Sequence, residues 1–111
     1  SHSLPASRLM DAFDIDRLRR DNPPLEDWQA RGVLYSLLWG RDCTEPNATA
    51  FLARVNCDWL ITGHIPAEAG FATPNSRQII LDCCASPAAC AMVPADRELD
   101  PDEFRDCVHV L

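Results

Sequence analysis

Apolar positions change their spacing several times along the chain, and each change marks a different element. From Ala6 to Arg20, Leu9, Met10, Phe13 and Leu18 keep a loose helical period with Pro5 suited to a first turn, which predicts a short helix. Pro23 and Pro24 stop it, and Leu25 to Ala30 has room for one more helical turn before Gly32. Val33 to Trp39 reads VLYSLLW, an apolar run between Gly32 and Gly40 whose length predicts a buried strand. Pro46 and Asn47 open a helix through Val55, with Phe51, Leu52 and Val55 on one side. Trp59 to Thr62 form a short strand ending at Gly63 and His64. Gly70 to Thr73 and Gln78 to Cys84 are β-prone runs separated by Pro74, Asn75 and Ser76, which predicts a hairpin. Ala88 to Val93 predicts a further strand, Pro101 to Phe104 a helical turn and Cys107 to Leu111 a last strand. Helices come early and strands late, the pattern of an α/β, α+β-like chain with a mixed, partly antiparallel sheet.

Length and composition narrow this picture. The 111 residues suffice for one domain or part of one, and the 47% apolar, 24% charged composition is that of a soluble globular chain. No apolar run approaches the roughly 18 residues of a membrane span, so no membrane partner is expected. Seventeen acids face ten bases, all arginine, for a net charge of −7, which weighs against a nucleic-acid or anionic-membrane surface. The chain opens on Ser1 without a basic region followed by an apolar one, and reads as a cut or processed end. Its six cysteines contain no CxxC pair or zinc-finger spacing and sit inside apolar stretches. Reduced, buried thiols in a cytoplasmic setting are the expectation, with three disulfides as the alternative.

Of the three histidines, His2 lies at the extreme start, and His109 alternates with Val108 and Val110 as a strand residue does. His64, in ITGHIP, follows a glycine at the end of an apolar strand, where imidazole is well placed to aim a metal ligand into a cleft. A lone histidine is more often a surface or hydrogen-bonded core residue, so spacing alone leaves both readings open.

Four short motifs in order, SHSLP at Ser1, LYSLLWGR at Leu34, WLITGHIP at Trp59 and QIILDCCASP at Gln78, resemble the C-terminal part of the phosphoprotein phosphatase branch of the calcineurin-like metallophosphoesterases. In that family a strand ends in a histidine before Gly-Gly-Leu-Ser-Pro, an LLW segment follows, and a later strand ends in Ala-His or Gly-His ahead of a hairpin. The resemblance implies that His2 and His64 are metal ligands, that two divalent ions (Mn, Fe or Zn) are the cofactors, and that a metal-bridging hydroxide hydrolyses a phosphoester. The expected partner is a phosphorylated substrate, either a phosphoprotein or a small phosphoester. The fold implied is the C-terminal half of a β-sandwich flanked by helices. The family's upstream motifs GDxHG, GDxxDRG and GNHE do not occur, so residues 1–111 are expected to form a single partial domain, inactive alone, that needs its N-terminal half as partner.

The chain departs from the family at Ser3 and Leu4, which replace the two glycines after the first histidine, and in the loop from Ala85 to Cys90, which lacks an Asn-Tyr pair. The region that carries the family's phosphate-gripping arginine is shortened. Arg41 is the best substitute, since a guanidinium holds two phosphate oxygens at once; pairing with Asp42 at the surface is the alternative. The acids from Asp96 to Glu103 lack the glycine turn of a calcium loop, and Asn47, Ala48 and Thr49 match a glycosylation sequon. Two other functions compete: a non-catalytic interaction module built on the same half-fold, and a small disulfide-linked domain. As half of a sandwich, the strands around Leu34, Leu38, Leu60, Ile61 and Ile79 to Leu81 are expected to leave apolar side chains uncovered.

Overall fold

A computed structural model of the chain describes residues 4–111. Two 3-10 segments, Ser7–Ala12 and Ile15–Arg19, lead into helices α1 (Leu25–Trp28), α2 (Val33–Trp39) and α3 (Glu45–Val55). Strands β1 (Leu60–Thr62), β2 (Phe71–Asn75), β3 (Gln78–Leu81) and β4 (Ala89–Ala91), helix α4 (Pro101–Asp106) and strand β5 (Val108–Val110) complete the order. The result is a small α+β domain. Its three-stranded sheet has the order β1-β3-β2, with β1 parallel and β2 antiparallel to β3, and β4 and β5 form a separate antiparallel pair. Among the described residues, no helix is long and apolar enough to cross a membrane.

The segment from Ala6 to Arg20 is not one helix. Phe13 adopts an extended backbone that buries its ring, and the Asp14 carboxylate accepts the Asp16 N–H at 2.9 Å, starting a new turn. A short acceptor so close to the backbone competes with helical continuation.

The second correction is larger. VLYSLLW is helix α2, not a strand: its run holds three leucines and one β-branched residue, and leucine is the better helix former. The Ser36 hydroxyl donates to the Val33 carbonyl at 2.8 Å one turn back, and the Gly40 N–H closes the end on the Ser36 carbonyl. Val33 and Ser36 face inward while Tyr35, Leu38 and Trp39 face solvent, so this helix carries apolar side chains on both sides.

The predicted hairpin forms with its turn shifted. Asn75 pairs with Gln78, leaving Ser76 and Arg77 as the turn, and Pro74 lies on β2, an edge strand that tolerates its missing donor. The Ser76 hydroxyl and N–H both donate to the Glu45 carboxylate, tying the turn to the first turn of α3.

Leu4, Met10, Phe13, Val33, Ala48, Phe51, Leu52 and Leu60 form the core, with the Phe13 and Phe51 rings 5.5 Å apart. On the other side Trp59 stacks on buried Phe104 at 4.7 Å. Buried polar groups are linked: Asn75 Nδ2 donates to Gln78 Oε1 at 2.9 Å, and Gln78 Nε2 to the Thr62 hydroxyl at 3.1 Å. The carboxylate of buried Asp27 lies 2.6 Å from Arg17 Nη2.

The expected uncovered strands are mostly covered. Leu60, Ile79 and Ile80 are buried, and Leu34, Ile61 and Leu81 are half-buried. Leu38 is exposed as expected, and further exposed apolar surface lies on α1 and α2, at Leu25, Trp28, Tyr35 and Trp39, and near the chain end at Met92, Val93, Val110 and Leu111. All six cysteines are unpaired, but Cys57, Cys83 and Cys84 are exposed, so the expectation of buried thiols holds only for Cys107, with Cys43 and Cys90 half-buried.

Candidate functional site

Strands β1 and β3 run parallel, so their C-terminal ends fall on one edge of the sheet, the edge where loops gather functional groups in such sheets. His64 leaves β1 there, two residues after Thr62, and is exposed with a left-handed backbone (φ 68°). Histidine visits that region at a cost that glycine does not incur. Its ring meets Trp39, at the end of α2, edge-on at a centroid separation of 6.1 Å and an interplanar angle of 82°.

The loop after His64 is fixed from the end of β3. The Asp82 carboxylate accepts the Ala67 N–H and the Cys84 N–H, each at 2.9 Å. The Cys84 N–H, then that of Ala67, holds the Asp82 carboxyl below its ordinary range. The same carboxylate pushes the Cys84 thiol up, by hydrogen bonding and by repulsion of a thiolate.

Arg41 follows the end of α2. Its Nη1 donates to the Gly40 carbonyl at 2.6 Å and the Leu38 carbonyl at 3.2 Å, both at the negative end of the helix. The Asp42 carboxylate turns elsewhere. It accepts the Ser7 N–H at 2.9 Å and the Thr44 hydroxyl at 2.8 Å, and these bonds hold its carboxyl below its usual range.

The chain start reaches the same place. A Cβ built on Gly40 meets the Leu4 carbonyl oxygen at 1.6 Å, so the two backbones touch where only glycine fits. Asn47, buried on α3, clamps the approach by donating through Nδ2 to the Pro5 carbonyl at 2.8 Å and the Asp42 carbonyl at 2.7 Å. That donor is the atom a sequon would glycosylate, and the fold uses it internally.

Thus Trp39 links two of the residues singled out in the sequence: it packs on His64 and lies two residues before Arg41. His2 lies outside the described residues. Arg41 sits at a helix end rather than beyond a strand, as a consequence of α2. Asp82 and Asn47 were not foreseen, because their partners are backbone groups far away in sequence.

Among the described residues, no group of three or more His, Cys, Asp or Glu side chains converges as a metal ion requires. His64 alone supplies one donor nitrogen, and the described residues do not fit a dinuclear centre. Compared with known proteins, the chain matches no family model, no curated protein and no solved structure.

Proposed function

We propose that this chain is the C-terminal portion of a metal-dependent phosphoester hydrolase, contributing His64 and Arg41 to a site completed by sequence upstream of Ser1. The observation that supports this reading is the meeting of three segments distant in sequence: Leu4 against Gly40, and Trp39 against His64. These belong to three of the four motifs on which the resemblance rests. A divalent ion at such a site would supply Lewis-acid chemistry, with His64 as the one described residue that would donate a nitrogen to it. This chain's own part is narrower. Arg41, fixed by carbonyls at the α2 end, is the guanidinium for phosphate oxygens, while Asp82 and Asn47 are positioning residues that hold the His64 loop and the chain start. The mixed sheet and its late hairpin are compatible with half of a larger sandwich.

The experiment is recovery of the reading frame upstream of Ser1, followed by turnover of an aryl phosphate by the complete protein with Mn. The reading expects GDxHG, GDxxDRG and GNHE motifs upstream, metal-dependent hydrolysis, loss of turnover in His64→Ala, and no turnover by residues 1–111 alone. An upstream sequence without those motifs, or full activity in His64→Ala, refutes it.

A further inference from the structure

Strand β5 pairs with β4 on one side only. Its register sets Ala89 against Val110, Cys90 against His109 and Ala91 against Val108. The Met92 N–H donates to the Cys107 carbonyl and the Leu111 N–H to the Ala88 carbonyl, each at 2.9 Å, which fixes the parity of the ladder. Cys107, His109 and Leu111 therefore turn their backbone groups toward β4, and Val108 and Val110 turn theirs away from it. Among the described residues, no other backbone group pairs with those of the two valines. The outer side of β4 is engaged, since the Ala89 N–H donates to the Asp82 carbonyl at 3.2 Å.

Folded chains ordinarily guard such an edge. β2 carries Pro74 and a break in register between Ala72 and Asn75. β5 has no proline, no Asp, Glu, Lys or Arg, and no bulge. Val110 and Leu111 are 55% and 78% exposed, and Met92, beside Cys107, is 67% exposed. An unguarded edge flanked by exposed apolar side chains is a template for another strand.

The sequence of the edge selects the strand that fits it. Val108-His109-Val110 reads the same in both directions, so a second β5 laid antiparallel about His109 sets Val108 of each copy opposite Val110 of the other. That register uses every outward backbone group of the two valines. Both His109 residues then meet on the two-fold axis, and each Leu111 comes beside the partner's Cys107, in the row that holds Met92. The net charge of −7 makes copies repel over much of their surface, but β5 adds no carboxylate to that repulsion. Covering these side chains and the edge backbone in both copies removes on the order of 1,000 Å² from water, the lower bound for a specific interface, so the dimer is weak.

We infer that this chain forms a two-fold dimer by antiparallel pairing of β5 with β5 of a second copy, joining two two-stranded sheets into one of four strands. The pairing is independent of the hydrolase reading. Each copy has a single β5 edge to offer, so association stops at two.

The test is sedimentation equilibrium of the 111-residue chain, with reductant present to prevent disulfides between the exposed Cys57, Cys83 and Cys84 of different copies. Between about 1 µM and 1 mM the mass should pass from monomer to dimer, with a midpoint on the order of 100 µM. His109→Lys sets two ammonium groups opposite each other on the axis, and Val110→Pro removes an outward N–H while leaving the bonds to β4 in place. Each should raise the midpoint about tenfold or more. Trp28→Ser, which alters the exposed apolar side of α1, should leave it unchanged. Circular dichroism identifies any variant that fails to fold, and the other then carries the comparison. Over the same concentrations the Val108 and Val110 amides should gain protection from hydrogen exchange, while the His109 amide, already held by β4, should not. A chain that stays monomeric, growth beyond the dimer, or a dimer that both β5 substitutions leave intact overturns the inference. So does a midpoint shifted as far by Trp28→Ser, or exchange at Val108 and Val110 that ignores concentration.

Discussion

Replacing Gly40 by alanine tests the contact that gathers the candidate site. The added Cβ would lie 1.6 Å from the Leu4 carbonyl oxygen and 2.7 Å from both the Leu4 carbonyl carbon and the Ser36 carbonyl oxygen. Ordinary contact between nonbonded atoms lies near roughly 3.5 Å, so one backbone must retreat by about 2 Å. All three obstacles are backbone atoms, which cannot swing aside as a side-chain tip does. Overpacking of this kind costs about 1–3 kcal/mol, and rigid walls favour the upper end. Against this, Gly40 sits at φ −63° and ψ 154°, a conformation alanine adopts freely. Alanine therefore gains about 0.4–1 kcal/mol from a more restricted unfolded chain. The steric cost wins, leaving a net loss of about 2 kcal/mol, or roughly 10 °C in Tm for a domain of this size. Gly63→Ala is the control. Its Cβ meets only the Leu81 carbonyl oxygen, at 3.6 Å, and its stability should stay within about 0.5 kcal/mol of the parent. Urea unfolding followed by tryptophan fluorescence reads both. A Gly40→Ala variant as stable as Gly63→Ala would show that the chain start does not lie against the end of α2, and the convergence behind the proposed site would fall with it.

Other outcomes follow from the same geometry. At position 64, whose backbone is left-handed, His64→Gly should be more stable than His64→Ala by about 1 kcal/mol, since only alanine bears the Cβ clash; equal unfolding midpoints would refute the conformation. Asp42, Glu45, Asp82 and Glu103 all have carboxyls held below their ordinary values by hydrogen bonds in the folded state. Their contribution is present above the unfolded values near about 4 and is lost as pH falls through the depressed folded ones. Urea midpoints should therefore decline on acidification from about pH 5, and Asp82→Asn should flatten the slope; a midpoint that rises toward low pH contradicts this. Alkylation near pH 8 should modify exposed Cys57 and Cys83 before Cys84, whose thiol Asp82 pushes up, and should spare buried Cys107 until unfolding. Asp82→Asn should speed Cys84, and an unchanged rate would separate that thiol from the carboxylate.

How far the sequence could be read depended on whether a segment's information was local. Helix α3 was legible because Pro46 and the spacing of Phe51, Leu52 and Val55 all lie within it, and the hairpin because its turn residues stand between two β-prone runs. Helix α2 is illegible in the sequence for a physical reason. Seven residues with apolar side chains on nearly every side carry no usable period, and length then favoured a strand, although the leucines and the Ser36 bond to Val33 stabilise a helix. Arg41 therefore stands at a helix end rather than a strand end, and its guanidinium caps α2. The apolar run before His64 is local and predicts β1, and a parallel partner brings the C-terminal end of that strand to a shared edge. What holds His64 there was illegible. Asp82 acts on the backbone of Ala67, fifteen residues away, and Asn47 on the carbonyl of Pro5, forty-two residues away, and a side-chain bond to a distant backbone group leaves no residue-type pattern in sequence. Candidate residues can therefore be named from their motifs, while the groups that decide the shape around them come into view only through tertiary contacts.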